Sequence, residues 1–327
     1  MFNTPILLIT FNRPSHTRRV LERILEAKPQ ALYVFQDGAR EGNANDAVRC
    51  AEVREVVNEL TARYALDHKD FVLHTLYSPT NLGCGPGPAA AISWFFEHVE
   101  MGIILEDDCL AHLDFFPYCE ELLSRYKEDN RIGFIGGCNY QDGQKHGDAS
   151  YYFSMGHHGT WGWASWQRVW DQFDYNLNSI TAKEFSSIIR YYGRDPRFTV
   201  YWEDIFARIK KDRMNDSAWD YQFYFACWKH QQLAIMPNVN LVSNIGDGID
   251  ATHTEGVSPM LYTMTYPILP LNHPKIVKQD CSADMYFHRT YIQSYDYGWR
   301  GLKRLPYRLN KRLKKILGHE GSWIKKK

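Results

Sequence analysis

Three adjacent carboxylates, Glu106, Asp107 and Asp108, directly follow the apolar run 102–105. Carboxylates side by side at the buried end of a strand repel one another, so they need a compensating positive charge. A hard divalent cation such as Mn²⁺ or Mg²⁺ fits, because it prefers oxygen ligands and takes one or two protein carboxylates together with substrate phosphates. The alternative is a solvated acidic turn in which Asp107 or Asp108 caps the next helix. The sequence favours a metal–diphosphate site.

Other polar residues also follow apolar runs. Arg13 lies just past the run 5–11, where its guanidinium can hold a phosphate through two N–H donors. The alternative is a surface arginine at a helix start, which the helix dipole disfavours unless an anion is near. Asp37 can accept the imide N–H of a uracil ring or belong to an ordinary Asp-Gly turn. Asn81 and Gly83 lie in a Gly-Pro-rich loop whose backbone can approach a nucleoside.

Alternating strands and helices position these residues. The apolar runs predict four strands, at 5–11, 31–35, 71–76 and 102–105. A helix is predicted after each strand, at 15–27, 45–64, 89–98 and 113–127. This order implies a parallel sheet with right-handed crossovers. Ligands bind at the carboxyl ends of such strands. The polar residues that follow the strands should therefore share one cleft.

Composition narrows the class of protein. At about 150 residues per domain, 327 residues suggest about two units. The 7 cysteines show no CxxC spacing, which argues against a disulfide scaffold or a structural zinc site. Net charge is zero, but residues 300–327 hold 11 basic residues and 1 acid, which leaves 27 basic and 37 acidic residues in the body. Because residues 1–299 are acidic, they lack the basic face that nucleic-acid-binding proteins usually show, which argues against that class of protein.

The chain resembles the GT-A glycosyltransferases, most closely the N-acetylglucosaminyltransferase I family and its bacterial relatives. The resemblance rests on the segments 5–13, 35–38, 104–110 and 114–118. It covers residues 5–140 well, is patchier over 150–255 and is absent beyond. It implies an α/β, GT-A (Rossmann-like), mostly parallel sheet flanked by helices, with an aromatic-rich acceptor half and a basic C-terminal helix. We therefore predict a nucleotide-sugar-binding half at 1–140, an acceptor-binding and catalytic half at 141–299, and a tail at 300–327.

The resemblance also implies roles for single residues. In that family the last acid of the triplet ligates Mn²⁺, which matches Asp108, and the middle acid contacts the ribose, which matches Asp107. The arginine after the first strand holds the diphosphate, matching Arg13, and the acid of the second strand end reads uracil, matching Asp37. The remaining predicted nucleotide-sugar contacts are Thr10, Asn12, Asn81, Gly83, Glu106 and His253. His253 lies in a segment similar to the family's loop near the diphosphate, although a polar loop residue is the alternative.

The family's catalytic base is an Asp after a Trp, and Asp220 in 219–222 matches it. An inverting transfer needs a carboxylate to take the proton from the acceptor hydroxyl. Flanking aromatic residues would partly desolvate this carboxylate and raise its basicity. The alternative is a helix N-cap, because an apolar helical run follows. Trp161, Gly162 and Trp163 resemble a sugar-contacting loop, with core packing as the alternative. For Trp166 and Trp170 we expect core packing.

We therefore expect an inverting glycosyltransferase that moves a sugar, N-acetylglucosamine or another hexose, from a UDP-sugar to a hydroxyl of a glycan or lipid-linked oligosaccharide. The cofactor would be Mn²⁺ or Mg²⁺. Retaining chemistry stays open. One rival is a catalytically inactive glycan-binding module. Another is a sugar-phosphate nucleotidyltransferase, which usually carries a Gly-rich loop with Arg and Lys where this chain has residues 12–15.

The tail suggests where the protein works. Residues 306–317 are predicted to form a basic amphipathic helix that can lie on an anionic membrane or dock on the acidic body. The sequence shows no signal peptide and no run of 18 apolar residues. We therefore expect a cytoplasmic protein that this helix can hold at the inner face of the plasma membrane.

Overall fold

The structure is a computed structural model that describes residues 2–156, 159–193, 196–211, 219–246 and 260–292. His253 and the basic tail at 300–327 lie outside these residues, so their roles stay predictions. Within the part described, no helix combines the length and the apolar character that a membrane span requires.

The first half alternates strands and helices as the sequence predicts. Its elements are β1 (Ile6–Thr10), α1 (Pro14–Glu26), β2 (Ala31–Gln36), α2 (Ala44–Asp67), β3 (Val72–Tyr77), α3 (Pro86–Phe96), β4 (Met101–Glu106), β5 (Cys109–Ala111) and α4 (Phe115–Arg125). The four predicted strands and four predicted helices are all present, which confirms this part of the prediction. The short strand β5 was not predicted.

The second half contains more strands than its sequence indicates. Its elements are β6 (Ile132–Gly136), β7 (Tyr151–Ser154), β8 (Trp163–Trp166), α5 (Gln167–Trp170), α6 (Ala182–Gly193), α7 (Pro196–Lys210), α8 (Asp220–Lys229), β9 (Leu233–Pro237), β10 (Val242–Asn244) and α9 (Cys281–Phe287), followed by a π-helical turn (His288–Ile292). These strands are three to five residues long, so they show little of the periodicity that reveals a strand.

One eight-stranded sheet runs through both halves in the order β3-β2-β1-β4-β8-β6-β9-β7. The pairs β1–β2, β1–β4, β2–β3 and β6–β9 are parallel, whereas β8 and β7 are antiparallel to their neighbours. Strand β8 lies between β4 and β6, with Trp163 paired to Ile104 on one side and to Gly136 on the other. The predicted α/β class with a mostly parallel sheet is therefore confirmed.

The centre of the sheet explains why its strands read as continuous apolar runs. All five residues of β1 are buried, as are the last five of β2. A strand covered on both faces has no solvent side on which to alternate polar residues. Helix α3 packs so closely on β4 that a Cβ at Gly102 would lie 2.3 Å from the ring of Phe95. Glycine is required at this contact.

The aromatic residues of the second half build the core. The ring of Trp163 stacks on Phe134 and Trp219 at centroid distances of 5.5 and 5.7 Å. The indole N–H groups of Trp166 and Trp170 donate to the Leu123 carbonyl oxygen and the Ser93 hydroxyl at 3.2 and 3.0 Å. Trp166 and Trp170 are both buried, as expected.

Candidate functional site

The polar ends of the central strands meet at one edge of the sheet. Strand β1 lies between β2 and β4, with Thr10 paired to Gln36 and Ile9 paired to Glu106. The Asp37 N–H donates to the Thr10 carbonyl oxygen at 3.0 Å, which joins the first two strand ends. The triplet at the end of β4 and the turn after β1 therefore lie together at this edge of the sheet, as the parallel topology predicts.

An arginine and two aspartates form the centre of this edge. Nη2 of Arg13 donates to Oδ1 of Asp107 and lies 3.0 Å from Oδ2 of Asp108. The Phe11 N–H lies 3.4 Å from Oδ2 of Asp107. Both aspartates are buried, and the arginine side chain is only 19% exposed. The turn after β1 thus holds a guanidinium directly against the carboxylates that follow β4.

Burial and mutual repulsion control the titration of this cluster. Burial raises the pKa of Glu106 to about 8, and the charges of Asp108, Asp107 and Asp220 add to this effect while Arg13 opposes it. Burial also raises the pKa of Asp107, against the lowering effect of Arg13. For Arg13 burial lowers the pKa, but the two aspartate charges outweigh it, so the guanidinium stays charged.

A second pair of strands holds a turn over Asp108. Strand β5 pairs antiparallel with β10, and the Ile245 N–H after β10 donates to the Asp108 carbonyl oxygen at 2.8 Å. The Gly246 N–H donates to Oδ1 of Asn244 at 2.8 Å. A Cβ at Gly246 would lie 2.2 Å from Oδ2 of Asp108 and 2.9 Å from Nη1 of Arg13. Only glycine lets the backbone pass this close to the ion pair.

Asp37 has a different role from the one predicted. Its Oδ1 accepts hydrogen bonds from the N–H groups of Gly38 and Leu82 at 2.9 and 2.8 Å. Its Oδ2 accepts from the Gly83 N–H and the Asn81 side-chain amide, both at 3.0 Å. A carboxylate has about four acceptor positions, and all four are used. Asp37 therefore anchors the loop 81–83, and no acceptor position remains for a uracil imide.

The same carboxylate explains Asn81 and Gly83. The Asn81 amide also donates to the Gly38 carbonyl oxygen at 2.9 Å, and Gly83 has a φ of 84° that glycine adopts without strain. Burial raises the pKa of Asp37, although the N–H groups of Leu82, Gly83 and Gly38 lower it. These residues shape a loop beside the cleft, and their contact with a nucleoside stays a prediction.

Thr10 and Asn12 support the turn after β1. The Thr10 hydroxyl donates to the Phe35 carbonyl oxygen at 2.9 Å, and the Asn12 side-chain amide donates to Oδ1 of Asp46 at 2.8 Å. Asp46 is buried and also accepts from the Arg40 guanidinium at 2.8 Å. Both predicted residues are buried next to the site, where they hold the backbone that carries Arg13.

Asp220 lies near the acidic triplet. It is the first residue of α8, whose N-cap residue is Trp219, so the N-cap alternative for Asp220 is wrong. Its charge contributes to the raised pKa values of Glu106 and of Tyr221 and Tyr224, in which burial is the largest effect. The carboxylate predicted as the base therefore stands among buried aromatic hydroxyls and within electrostatic reach of the triplet.

The Trp-Gly-Trp segment is divided between core and surface. Trp163 is 1% exposed and packed between other rings, so it presents no face to a sugar and its predicted contact is wrong. Gly162 is buried with a φ of 66°, and a Cβ there would lie 2.6 Å from Val242. Trp161 is partly exposed and stays a candidate for sugar contact.

Within the described ranges, no group of three or more His, Cys, Asp or Glu side chains is arranged to hold a metal ion. The site offers instead the oxygens of Asp108, which already hold a cationic partner in Arg13. This donor set fits a Mn²⁺ or Mg²⁺ ion that takes one or two carboxylates and completes its shell with water and phosphate oxygens.

Two residues near the site, His16 and Tyr262, were not predicted from the sequence. Nε2 of His16 lies 3.1 Å from the Ile245 carbonyl oxygen, and the Tyr262 hydroxyl donates to the same oxygen at 3.1 Å. Each joins positions far apart in the chain, which a single sequence does not reveal. Gly246 lies in a stretch with two glycines, 246 and 248, but a single sequence does not show that its backbone passes next to Asp108.

No protein-family model matches this chain, and no curated protein has a similar sequence. Solved structures that align with part of this chain include HddC from Yersinia pseudotuberculosis, at 7% identity and a TM-score of 0.30, over 53% of this chain and 80% of HddC. A second is 4-diphosphocytidyl-2C-methyl-D-erythritol synthase from Anaerococcus prevotii, at 9% identity and a TM-score of 0.29, over 52% of this chain and 73% of that one.

A third is a UDP-glucose pyrophosphorylase in complex with UDP-glucose, at 8% identity and a TM-score of 0.29, over 52% of this chain and 78% of that one. At these identities and scores, no activity is transferred from these proteins to this chain. The resemblance to the N-acetylglucosaminyltransferase I family stays a prediction from the sequence.

Proposed function

We propose that this chain is an inverting glycosyltransferase that moves a sugar from a nucleotide-sugar to a hydroxyl of a glycan or lipid-linked oligosaccharide. The observation that supports this most directly is the juxtaposition of Arg13 with Asp107 and Asp108 at the carboxyl edge of the sheet. Asp220 lies close enough to affect the pKa of Glu106. The predicted diphosphate ligand and the candidate base thus both interact with the acidic triplet, Arg13 by direct contact and Asp220 by its effect on Glu106.

The nucleotide-sugar would bind through groups that this edge supplies. Arg13 would hold the diphosphate, Asp107 the ribose and Asp108 a Mn²⁺ or Mg²⁺ ion. The metal, when bound, would neutralise the diphosphate and so make it a better leaving group. UDP remains our choice of nucleotide because of the family resemblance alone, since the carboxylate of Asp37 is fully engaged by the loop 81–83.

Asp220 would act as the general base. In an inverting transfer the acceptor hydroxyl oxygen attacks the anomeric carbon, and the bond from that carbon to the diphosphate oxygen breaks. The hydroxyl proton passes to the Asp220 carboxylate, and the nucleoside diphosphate leaves. Asp220 is partly buried, next to the buried Trp219 and within electrostatic reach of Tyr224, and partial desolvation by such neighbours would favour its role as a proton acceptor.

The second candidate is a sugar-phosphate nucleotidyltransferase. The sequence analysis left this class open as a rival, and a mostly parallel α/β sheet with acids at the carboxyl edge of its strands is compatible with it. Against it, the chain passes from β1 to α1 through Phe11–Arg13 alone. This turn leaves no room for the Gly-rich loop that such enzymes usually carry after the first strand.

Two assays on the full chain separate these candidates. The first incubates a panel of UDP-, GDP-, CDP- and dTDP-sugars with Mn²⁺ and measures release of the nucleoside diphosphate with and without glycan acceptors. The second incubates UTP or dTTP with a sugar 1-phosphate and measures pyrophosphate. We expect release in the first assay, with UDP-sugars, and its loss in Asp108→Ala. Pyrophosphate formation without donor cleavage would contradict our proposal, and silence in both assays would favour the glycan-binding module.

A further inference from the structure

Arg13 lies where a counter-ion for Asp107 and Asp108 would be expected. One nitrogen, Nη2, contacts Oδ1 of Asp107 and lies 3.0 Å from Oδ2 of Asp108. The aspartate side chains are only 3% and 11% exposed, so water does little to screen them. A cationic group that bridges two buried carboxylates performs the neutralisation that a metal ion would otherwise supply.

The surroundings hold this guanidinium in place. The carboxylates lie on one side, and the backbone of Gly246 covers the pair so closely that a Cβ would lie 2.9 Å from Nη1 and 2.2 Å from Oδ2 of Asp108. The Gly246 turn is itself fixed by hydrogen bonds from Ile245 to Asp108 and from Gly246 to Asn244. A second cation at Asp108 therefore meets a carboxylate that Arg13 already contacts through Oδ2.

Neither the departure of Arg13 nor the arrival of a divalent cation is favourable on its own. If Arg13 moved away by itself, two buried carboxylates would lose their counter-charge, which is strongly unfavourable. If a divalent cation bound Asp108 while Arg13 stayed, two positive groups would share one buried carboxylate and repel each other. An exchange avoids both penalties, provided that the displaced guanidinium finds another anion, and a diphosphate is a suitable bidentate partner.

We propose that Arg13 is an exchangeable counter-ion: it neutralises Asp107 and Asp108 in the ligand-free protein, gives up Asp108 to a divalent cation, and turns to the diphosphate that arrives with it. This inference rests on the proposed nucleotide-sugar site and adds an order of binding to it. Metal alone binds weakly because it must displace Arg13 with no new partner for the guanidinium. Metal and diphosphate strengthen each other's binding, and this coupling is reciprocal.

The first test measures Mn²⁺ binding to the full chain without nucleotide, by the loss of the electron paramagnetic resonance signal of free Mn²⁺. We expect Arg13→Gln to bind Mn²⁺ at least about tenfold more tightly than the wild type. The matched control is Arg18→Gln, an arginine of α1, the helix that Arg13 precedes, where Arg18 pairs with Glu59 at the surface. Its Mn²⁺ affinity should equal that of the wild type. Unchanged or weaker Mn²⁺ binding in Arg13→Gln would overturn the exchange.

The second test follows the guanidinium itself in the wild type and so does not depend on a variant folding. The Arg13 Nε–H signal is assigned by its loss in Arg13→Lys and recorded in ¹H–¹⁵N spectra with Mg²⁺, with UDP and with both. We expect little change with Mg²⁺ alone and a clear shift with both. If a rise in Tm shows that UDP and Mg²⁺ bind while the signal stays in place, the exchange is wrong and the proposed function survives. If no nucleotide of the panel binds, both fail.

Discussion

Asp220 is the residue on which the proposed chemistry depends. It follows the N-cap residue Trp219 and begins α8 near the acidic triplet. Replacing its carboxylate by an amide removes the proton acceptor but keeps the shape of the side chain. We expect Asp220→Asn to lower the transfer rate by at least about 100-fold, since general bases contribute about 10² to 10⁴. Binding of the donor, measured as a rise in Tm with nucleotide and Mn²⁺, should remain.

The control for this change is Asp171→Asn, an exposed aspartate after α5, which should keep the full rate. A near-normal rate in Asp220→Asn would show that another group takes the proton. Loss of the nucleotide-dependent rise in Tm would instead assign Asp220 to donor binding.

Glu106 makes the stability of the metal-free protein depend on pH. Its pKa is raised by burial and the neighbouring acids to about 8 in the folded protein, against 4.5 for an ordinary glutamate. The folded protein thus retains a proton that the unfolded chain releases, and its free energy of unfolding falls as the pH rises from about 4.5 through about 8. Glu106→Gln, which cannot ionise, avoids this loss.

We expect Glu106→Gln to be more stable than the wild type by at least about 1 kcal/mol at pH 8 and by less at pH 5.5, since one pKa unit corresponds to about 1.4 kcal/mol. Urea denaturation in EDTA at the two pH values measures this difference. Glu97→Gln, at an exposed glutamate after α3, should show no such trend. A Glu106→Gln advantage that is equal at both pH values would mean that Glu106 does not titrate in this window.

At the scale of elements, the turn after β10 carries a testable requirement. Gly246→Ala places a methyl group 2.2 Å from Oδ2 of Asp108, closer than Cβ contacts allow. The atoms in its way are Oδ2 and Cβ of Asp108 and Nη1 of Arg13, and the Asp108 Cβ, at 2.9 Å, moves only with the backbone. We expect the free energy of unfolding to fall by about 1 to 3 kcal/mol. Nucleotide binding with Mn²⁺ should weaken at least about tenfold, because the displaced groups are the ones that we propose bind it.

Gly143→Ala provides the opposite case. Gly143 has a φ of 80°, and a methyl group on its Cα would meet nothing within 4 Å, so the substitution strains the backbone far from the ion pair. It should cost about 1 kcal/mol or more of stability and leave nucleotide binding unchanged. Isothermal titration and urea denaturation on both variants measure the two effects. Equal nucleotide affinity in Gly246→Ala and the wild type would show that this turn does not contribute to nucleotide binding.

The elements also show how far the sequence predicts this structure. Buried strands such as β1 and β4 are continuous apolar runs, and the polar residues that follow them mark the edge where Arg13 meets Asp108. Strand β8 is different, because it has four residues, Trp163–Trp166, that pair with β4 and β6 on either side. Its position depends on partners distant in the chain, which local periodicity does not encode.

Asp37 shows the same limit for a single side chain. Its residue type and its place after β2 are compatible both with reading a base and with anchoring a loop. The four hydrogen bonds that decide between these roles come from the neighbouring Gly38 and from residues more than 40 positions away. The sequence therefore placed this carboxylate correctly at the end of β2 but predicted a role that its hydrogen bonds do not leave room for.

Across the whole molecule, the last described segment is fastened to the sheet edge opposite β3. Asp284 of α9 is buried and accepts hydrogen bonds from the Ser154 hydroxyl at the end of β7 and from the Gln279 side-chain amide, at 2.5 and 2.6 Å. The Met155 N–H lies 3.3 Å from both carboxylate oxygens. In the strand order, β7 is separated by β9, β6 and β8 from β4, which carries the acidic triplet.

This arrangement predicts that stability and ligand binding can be separated. Asp284→Ala leaves buried donors without their acceptor, so we expect a loss of about 2 to 4 kcal/mol. Because one sheet joins both halves, far-ultraviolet circular dichroism and tryptophan fluorescence should report the same single transition. The rise in Tm with nucleotide and Mn²⁺ should stay the same size, and Asp148→Ala, at an exposed position, should change neither property. Two separate transitions would show that the halves unfold independently, and a lost nucleotide response would show that α9 supports the site across the whole sheet.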